Sequence, residues 1–398
     1  MGEWKTYRND YILSQICYYI NNRSSSFDNY ISTENMLPNK GGVCEAANVP
    51  SGTVIEYKVG DILISNIRPY FQKIWRADRN GGCSADVLCI RAKENVDSKY
   101  LYYLLSQQAF FDYVMSGAKG CKMPRGDKKQ IMQWPVTLPP LEEQRRIAGI
   151  LGSLDDKIEL NRRINANLET QAQALFRSWF VDFEPFRDGP FVDSELGKIP
   201  QGWKICRLKD ATKEIIRGFT SKYVERSDLI NLNQKVNKGQ YLDRQYYKFL
   251  NPEIAIPTNK FAQQNDILLN SLGQGTLGRV HYYGELTPNI VIDQHITIIR
   301  ANNTTFQPSF IYLFLSSNKV QHSIEGMVTG STGMQMLNIS QVREMNILQP
   351  DVNTMNKFHN IVQPFFVEIR KNNSETEIIA KIRDTLLPKL MAGEIAIE

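Results

Sequence analysis

The chain has 398 residues, 42% apolar, 10% aromatic and 22% charged, with a net charge of +5 from 47 Lys and Arg against 42 Asp and Glu. This length exceeds what one core serves, so two domains of about 150 to 200 residues are expected; the composition excludes a disordered chain, and the mild basic excess permits nucleic acid without requiring it. No apolar run of about 18 residues is available to span a bilayer, MGEWKTYRND lacks a signal-peptide core, and the six cysteines lack CxxC spacing, so a cytoplasmic chain with reduced thiols and no bound metal is expected.

The chain repeats itself. Trp4-Lys5 with Arg8 recurs as Trp203-Lys204 with Arg207, and Gly60-Asp61-Ile62-Leu63 as Asn265-Asp266-Ile267-Leu268, at spacings of 199 to 205 residues. Tyr100 to Leu105 matches Phe310 to Leu315, and Ile131, Trp134, Val136 and Pro139 match Val342, Met345, Ile347 and Pro350. Within each copy, short β-rich segments (61–67 and 87–91, then 266–271 and 294–300) separated by Gly, Asn and Pro turns predict a compact α+β domain.

After Pro139-Pro140, and again after Pro350, the pattern turns helical. A 4-3 spacing runs through Ile147, Leu151, Leu154, Ile158, Asn161, Asn165, Leu168, Ala172, Leu175 and Trp179. A shift of 211 residues gives Phe358, Val362, Phe365, Ile369, Asn372, Thr376, Ile379, Arg383, Leu386 and Leu390, so both seams turn polar at the same two positions. Asn161, Asn165, Asn372 and Thr376 therefore serve as register residues, and the two helices are expected to form an antiparallel coiled coil whose polar layers meet. The bland alternative is two amphipathic helices covering separate domains. Pro364 is read as marking the start of the second long helix, with Ser153 capping the first. The helix is then about 40 Å long to Trp179, or about 60 Å counted from Leu141 to Phe180. The division expected is 1–138 for the first domain, 139–187 for a central spacer, 188–349 for the second domain and 350–398 for a closing spacer.

Three stretches carry a resemblance: Leu138-Pro139-Pro140-Leu141-Glu142-Glu143-Gln144-Arg145-Arg146-Ile147, Leu175-Phe176-Arg177-Ser178-Trp179-Phe180-Val181-Asp182-Phe183 and Leu196-Gly197-Lys198-Ile199-Pro200-Gln201-Gly202-Trp203. With the closing Leu386 to Ile395, they resemble the specificity subunits of bacterial and archaeal Type I restriction-modification systems over the whole length. The resemblance implies an α+β fold of two target-recognition domains, separated by two long helices with pseudo-two-fold symmetry. Each domain would read one half of a bipartite site in double-stranded DNA. The helices would set the gap and dock two methyltransferase subunits, with restriction and motor subunits joining. S-adenosylmethionine, ATP and magnesium would belong to those partners, with no cofactor and no catalysis on this chain. The rival is a coiled-coil protein scaffold without DNA specificity.

Candidate DNA contacts follow. Ser116 to Lys129 (SGAKGCKMPRGDKK) offers Lys119, Lys122 and Arg125 on a glycine-rich loop suited to phosphates, or else forms a solvated turn. Its counterpart, Thr329 to Met336, is uncharged and offers Ser331, Thr332 and Gln335 to base edges. Arg68, Tyr70, Lys73 and Arg76 in the first domain, and Arg217, Thr220, Lys222, Gln274 and Arg279 in the second, alternate basic with hydrogen-bonding or stacking groups. Tyr70, Trp75, Tyr282 and Tyr283 read more readily as packing aromatics.

Gly273-Gln274-Gly275-Thr276-Leu277-Gly278 fits a dinucleotide-binding pattern, but strand-like residues follow it where a helix is required, so a hairpin turn is expected. Asn251-Pro252-Glu253 lacks the second proline and aromatic of a base-flipping methyltransferase motif. Pro350-Asp351 matches a helix start in the other copy rather than a nuclease site.

Overall fold

The computed structural model describes residues 9–25, 29–46, 48–220, 222–273, 275–285, 288–328 and 335–395. It divides into two compact units, Met1–Ile158 with Glu377–Glu398, and Glu159–Thr376. The boundary cuts through both long helices, so each unit contains an α+β domain and a stretch of each helix.

In the first unit, Asn9–Ile12 pairs antiparallel with Pro135–Leu138, which ties the start of the domain to the strand before the first long helix. The main sheet runs Cys17–Ile20, Val87–Ala92, Ile62–Ser65, Ile74–Arg76, antiparallel throughout. Its central strand is buried on both faces, and the two-residue period of a strand sorts its side chains. Ile62 and Ile64 pack with Tyr100, Leu101 and Leu104 of the helix Ser98–Leu105, while Leu63 faces Ile55, Tyr57 and Val87. Those latter contacts lead to a second sheet, Arg23–Ser24, Val54–Tyr57, Gly81–Cys83, Tyr30–Ile31, whose last pair is parallel.

The second unit repeats the plan. Lys204–Arg207 pairs with Asn346–Gln349, and the main sheet runs Thr212–Arg217, Ile296–Ala301, Ile267–Asn270, Val280–Tyr282 in the same order. Ile267 and Leu269 again join the core against the helix Pro308–Ser316, while Leu268 joins Leu232, Ile290 and Ile298 on the other face. The second sheet differs: it runs Tyr223–Val224, Lys248–Leu250, Ile230–Leu232, Ile290–Ile292, so the edge opposite its first strand is held by the fourth of its strands in chain order and not, as in the first unit, by the second.

One device recurs in both main sheets. Asp61 accepts from the backbone N–H of Lys58 at 2.8 Å and holds Arg91 of the neighbouring strand through two bonds of 2.7 Å. Asp266 accepts from the N–H of Gln263 at 2.9 Å and holds Arg300 at 2.8 and 3.1 Å. The preceding residues, Gly60 and Asn265, both have positive φ, the left-handed conformation that Gly and Asn tolerate best. The bidentate carboxylate pushes the Arg91 guanidinium pKa up. The sequence repeat at these positions thus preserves an ion pair on a buried carboxylate, although the reading of the sequence gave it no role.

The long helices are continuous over Leu141–Phe180 and Val352–Ala392. Pro364 therefore does not start the second helix and Ser153 does not cap the first; the Ser153 hydroxyl instead donates to the Ile150 carbonyl at 2.8 Å. Proline is tolerated inside the helix because both it and Asn360, whose carbonyl loses its partner, lie on the exposed face where water serves. None of the seam positions read from the sequence is exposed. In the second unit, Asn161 Nδ2 donates to Glu375 Oε2 at 2.8 Å and Thr376 Oγ1 at 3.3 Å, and Asn372 Nδ2 donates to Asn165 Oδ1 at 2.9 Å. In the first unit, Arg383 bonds Asp155 Oδ1 at 2.7 Å. In the second unit partners move backward along one helix as they advance along the other, so the helices pair antiparallel there. The polar positions meet as the spacing predicts, and Arg383, which breaks the apolar seam, is neutralised by Asp155, itself bonded by the Tyr103 hydroxyl at 2.6 Å.

Candidate nucleic-acid interface

In the first unit two loops that carry candidate residues are joined. The end of the central strand, Asn66-Ile67-Arg68, lies beside Pro124-Arg125-Gly126: Arg68 N–H donates to the Pro124 carbonyl at 2.8 Å, Ile67 and Arg125 form an antiparallel bridge, and Asn66 Nδ2 donates to the Gly126 carbonyl at 3.1 Å. Lys119 and Arg125 exchange backbone bonds of 2.9 Å, closing a small ring of chain that presents Lys122 and Met123 to solvent. Arg68 and Gln72 both adopt left-handed φ around the turn Pro69–Phe71, a strained pair for residues with side chains. That turn exposes Tyr70 and Phe71, whose rings meet at 4.6 Å. Tyr70 is therefore not a packing residue; of the four aromatics, Tyr282 and Tyr283 are buried and Trp75 packs edge-on to Tyr57.

The structure also tempers the charge of this surface. Arg125 bonds Asp86 at 2.8 Å, and Lys119 lies 3.4 Å from Asp127. Asp86 lies far away in sequence, which hid this neutralisation. Asp127 caps the short helix Lys128–Ile131, and the N–H groups of Gln130 and Lys129 hold its carboxyl below the usual range. Lys73 donates to the Thr33 carbonyl at 2.6 Å, and burial lowers its pKa. Arg76 lies apart from this cluster, its guanidinium bonded to Ser98 Oγ at 2.9 and 3.2 Å.

The second unit builds the same junction from different side chains. Leu272 and Met336 form the bridge that Ile67 and Arg125 form in the first, and Leu337 N–H donates to the Ser271 carbonyl at 2.9 Å. Arg217 reaches the Leu337 carbonyl, with burial lowering its pKa, and Gln335 is exposed beside it. Thr220 and Lys222 are exposed along the strap that follows Arg217. Arg279 folds back onto the Gly275 carbonyl at 2.9 Å, so it braces the 273–278 turn. That turn joins two antiparallel strands, and no helix follows it, as expected for a hairpin and not for a cofactor loop. Gln274, Ser331 and Thr332 lie outside the described residues.

A pair that the sequence reading missed sits at the centre of this junction. His295 Nδ1 bonds the Asp293 carboxylate, which also accepts from the Tyr223 hydroxyl at 3.2 Å. Neither residue lies in a charged run, which is the signal that drew attention elsewhere.

The profile of the Type I restriction modification DNA specificity domain matches residues 7–170. The MjaIX specificity subunit of Methanocaldococcus jannaschii is 31% identical over 322 residues, covering 77% of this chain and 71% of its own. The chain belongs to the Type I restriction enzyme specificity subunits. As such a subunit it also aligns over 99% of its length with all of the Haemophilus influenzae HindI specificity subunit, at 27% identity. The crystal structure of the S subunit from M. genitalium shares the specificity-subunit fold, with a TM-score of 0.53 over 96% of both chains at 14% identity. The junction of the first unit lies within the matched DNA specificity domain. Among the described residues of this subunit, no helix is long and apolar enough to cross a membrane.

Proposed function

We propose that this specificity subunit reads a bipartite duplex site, one half per α+β domain, and that it docks two methyltransferase subunits together with restriction and motor subunits. The observation that carries the reading is the duplicated junction. Each domain brings the loop after its central strand against a second loop, and the two copies share backbone geometry while differing in side chains. Shared geometry with divergent side chains suits two domains that do one task on two sequences. Arg68, Tyr70, Lys119, Lys122 and Arg125 are assigned to the first half-site; Arg217, Thr220, Lys222 and Gln335 to the second. The chain would be non-catalytic and cofactor-free, with S-adenosylmethionine, ATP and magnesium held by its partners in the cytoplasm. The test compares genomic methylation in cells expressing this chain with its methyltransferase subunit against the methyltransferase alone. Adenine methylation at a split motif that requires both proteins supports the reading; a stable complex without new methylation favours the scaffold alternative.

A further inference from the structure

The structure assigns to His295, held by Asp293, the reading of one base pair in the second half-site; this rests on the function proposed above. The two units carry equivalent turns at this place. Asn66 N–H donates to the Asp86 carbonyl and Ser271 N–H to the His295 carbonyl, both at 2.9 Å, so Asp86 and His295 occupy the same place at the junction. In the first unit the turn is made by Ser84, whose Oγ accepts from Asp86 N–H at 3.2 Å. In the second it is made by Asp293, whose Oδ1 accepts from His295 N–H at 2.9 Å. A serine suffices for the turn, so the turn alone does not call for a carboxylate.

What Asp293 adds is a hold on two rings. Its side chain is 3% exposed and bonds both the His295 imidazole and the Tyr223 hydroxyl, while His295 itself is 35% exposed. A buried acid beside a surface meant for DNA works against phosphate binding, so its presence asks for a specific task. Fixing an imidazole is such a task. In the tautomer that donates Nδ1–H to the carboxylate, Nε2 is left as an acceptor. An acceptor fixed in direction matches the exocyclic amino group that adenine or cytosine presents in the major groove.

The neighbouring strap is held equally closely. Phe219 N–H donates to the Ile292 carbonyl at 2.7 Å, and a Cβ on Gly218 would come within 2.2 Å of the Asp293 carbonyl oxygen. Gly218 thus lets the chain at Phe219 run against the Asp293 turn. Phe219 and Tyr223 both bear on the Asp293 turn that carries His295, a support of the kind that recognition of a base edge requires.

The test uses the full chain expressed with its methyltransferase subunit, with the methylated motif mapped across the genome for wild type, His295→Ala and Asp293→Ser. Both substitutions should relax one letter of one half-site, lowering discrimination at that letter roughly ten- to a hundredfold, while the other half-site keeps its letters. Asp293→Ser retains the turn as Ser84 does, so a change of letter there reports the lost hold on the ring and not a lost loop. If Asp293→Ser abolishes methylation altogether, His295→Ala decides alone, because it trims a partly exposed ring without opening the core. An unaltered motif with His295→Ala, or uniform weakening with every letter intact, overturns the assignment and leaves the split-site reading standing. Absence of any split motif with the wild type overturns both.

Discussion

The two halves of the molecule agree in their main sheets and part company in the second ones. Strand order, the strand that closes the domain, the left-handed residue before Asp61 or Asp266 and the Asp–Arg pair recur. The second sheets place different strands at the edge, and the junction beside them carries Arg125 bonded to Asp86 in one unit and His295 bonded to Asp293 in the other. The lesson is a division of labour. The repeated sheet is a scaffold whose ion pair fixes the central strand, and the divergent layer around it is free to carry a different recognition surface.

The scaffold itself is not symmetric in burial, and this gives the largest expected effect. Arg300 is 8% exposed and binds Glu214 at 2.7 Å besides Asp266, whereas Arg91 is 33% exposed. Asp266→Ala removes one of the two carboxylates that hold this buried guanidinium, leaving it to Glu214, and should cost about 3 kcal/mol. Asp61→Ala lets Arg91 turn to water and should cost about 1–3 kcal/mol. Denaturant unfolding of the two variants checks this; equal losses would mean that burial does not distinguish the two pairs.

Next in size is the response of DNA binding to salt. Replacing Lys119, Lys122 and Arg125 together with Ala should weaken binding roughly a hundredfold near physiological salt and lower the slope of log K against log salt by about two or three. Because Asp86 partners Arg125, Asp86→Asn should act in the opposite sense and steepen the slope. An unchanged slope in the triple variant would remove this loop from the interface. A loss confined to one sequence would make it a base reader like the second junction.

How much of this was legible in the sequence follows from range. Helix periodicity is local, so the seam and its polar layer at Asn161 and Asn372 could be read, and the internal repeat delivered the domain plan. Chemistry that depends on contacts between distant segments could not. Asp86 meets Arg125 and Asp293 meets Tyr223 only after the sheets assemble, and the second sheets rest on two- to four-residue strands too short to show a period. Pro364 misled because a breaker was judged without its setting: on an exposed face the orphaned carbonyl finds water, and the helix continues. Tyr70 misled in the opposite way, since aromatics beside strands usually cover the core, and here a strained turn lifts the ring outward.

A smaller effect separates the halves by pH. Trp75 and His281 are equivalent, facing Leu63 and Leu268 on the matching edge strands. His281 is buried, with Nδ1 2.7 Å from the Gly239 carbonyl, and burial lowers its pKa from 6.5 to about 4. Above pH 6.5 the imidazole is neutral in both folded and unfolded chains and contributes no pH dependence. Between 6.5 and about 4 the unfolded chain binds a proton that the folded one refuses, so stability should fall by about 1.4 kcal/mol per pH unit as the solution is acidified. His281→Asn keeps an N–H donor for Gly239 and cannot titrate. The unfolding free energies of wild type and this variant should run parallel above pH 6.5 and diverge below it, with the wild type losing more. Parallel curves down to pH 4 would mean that the ring gains a proton without cost, and the second domain would be no more acid-sensitive at this position than the tryptophan-bearing first.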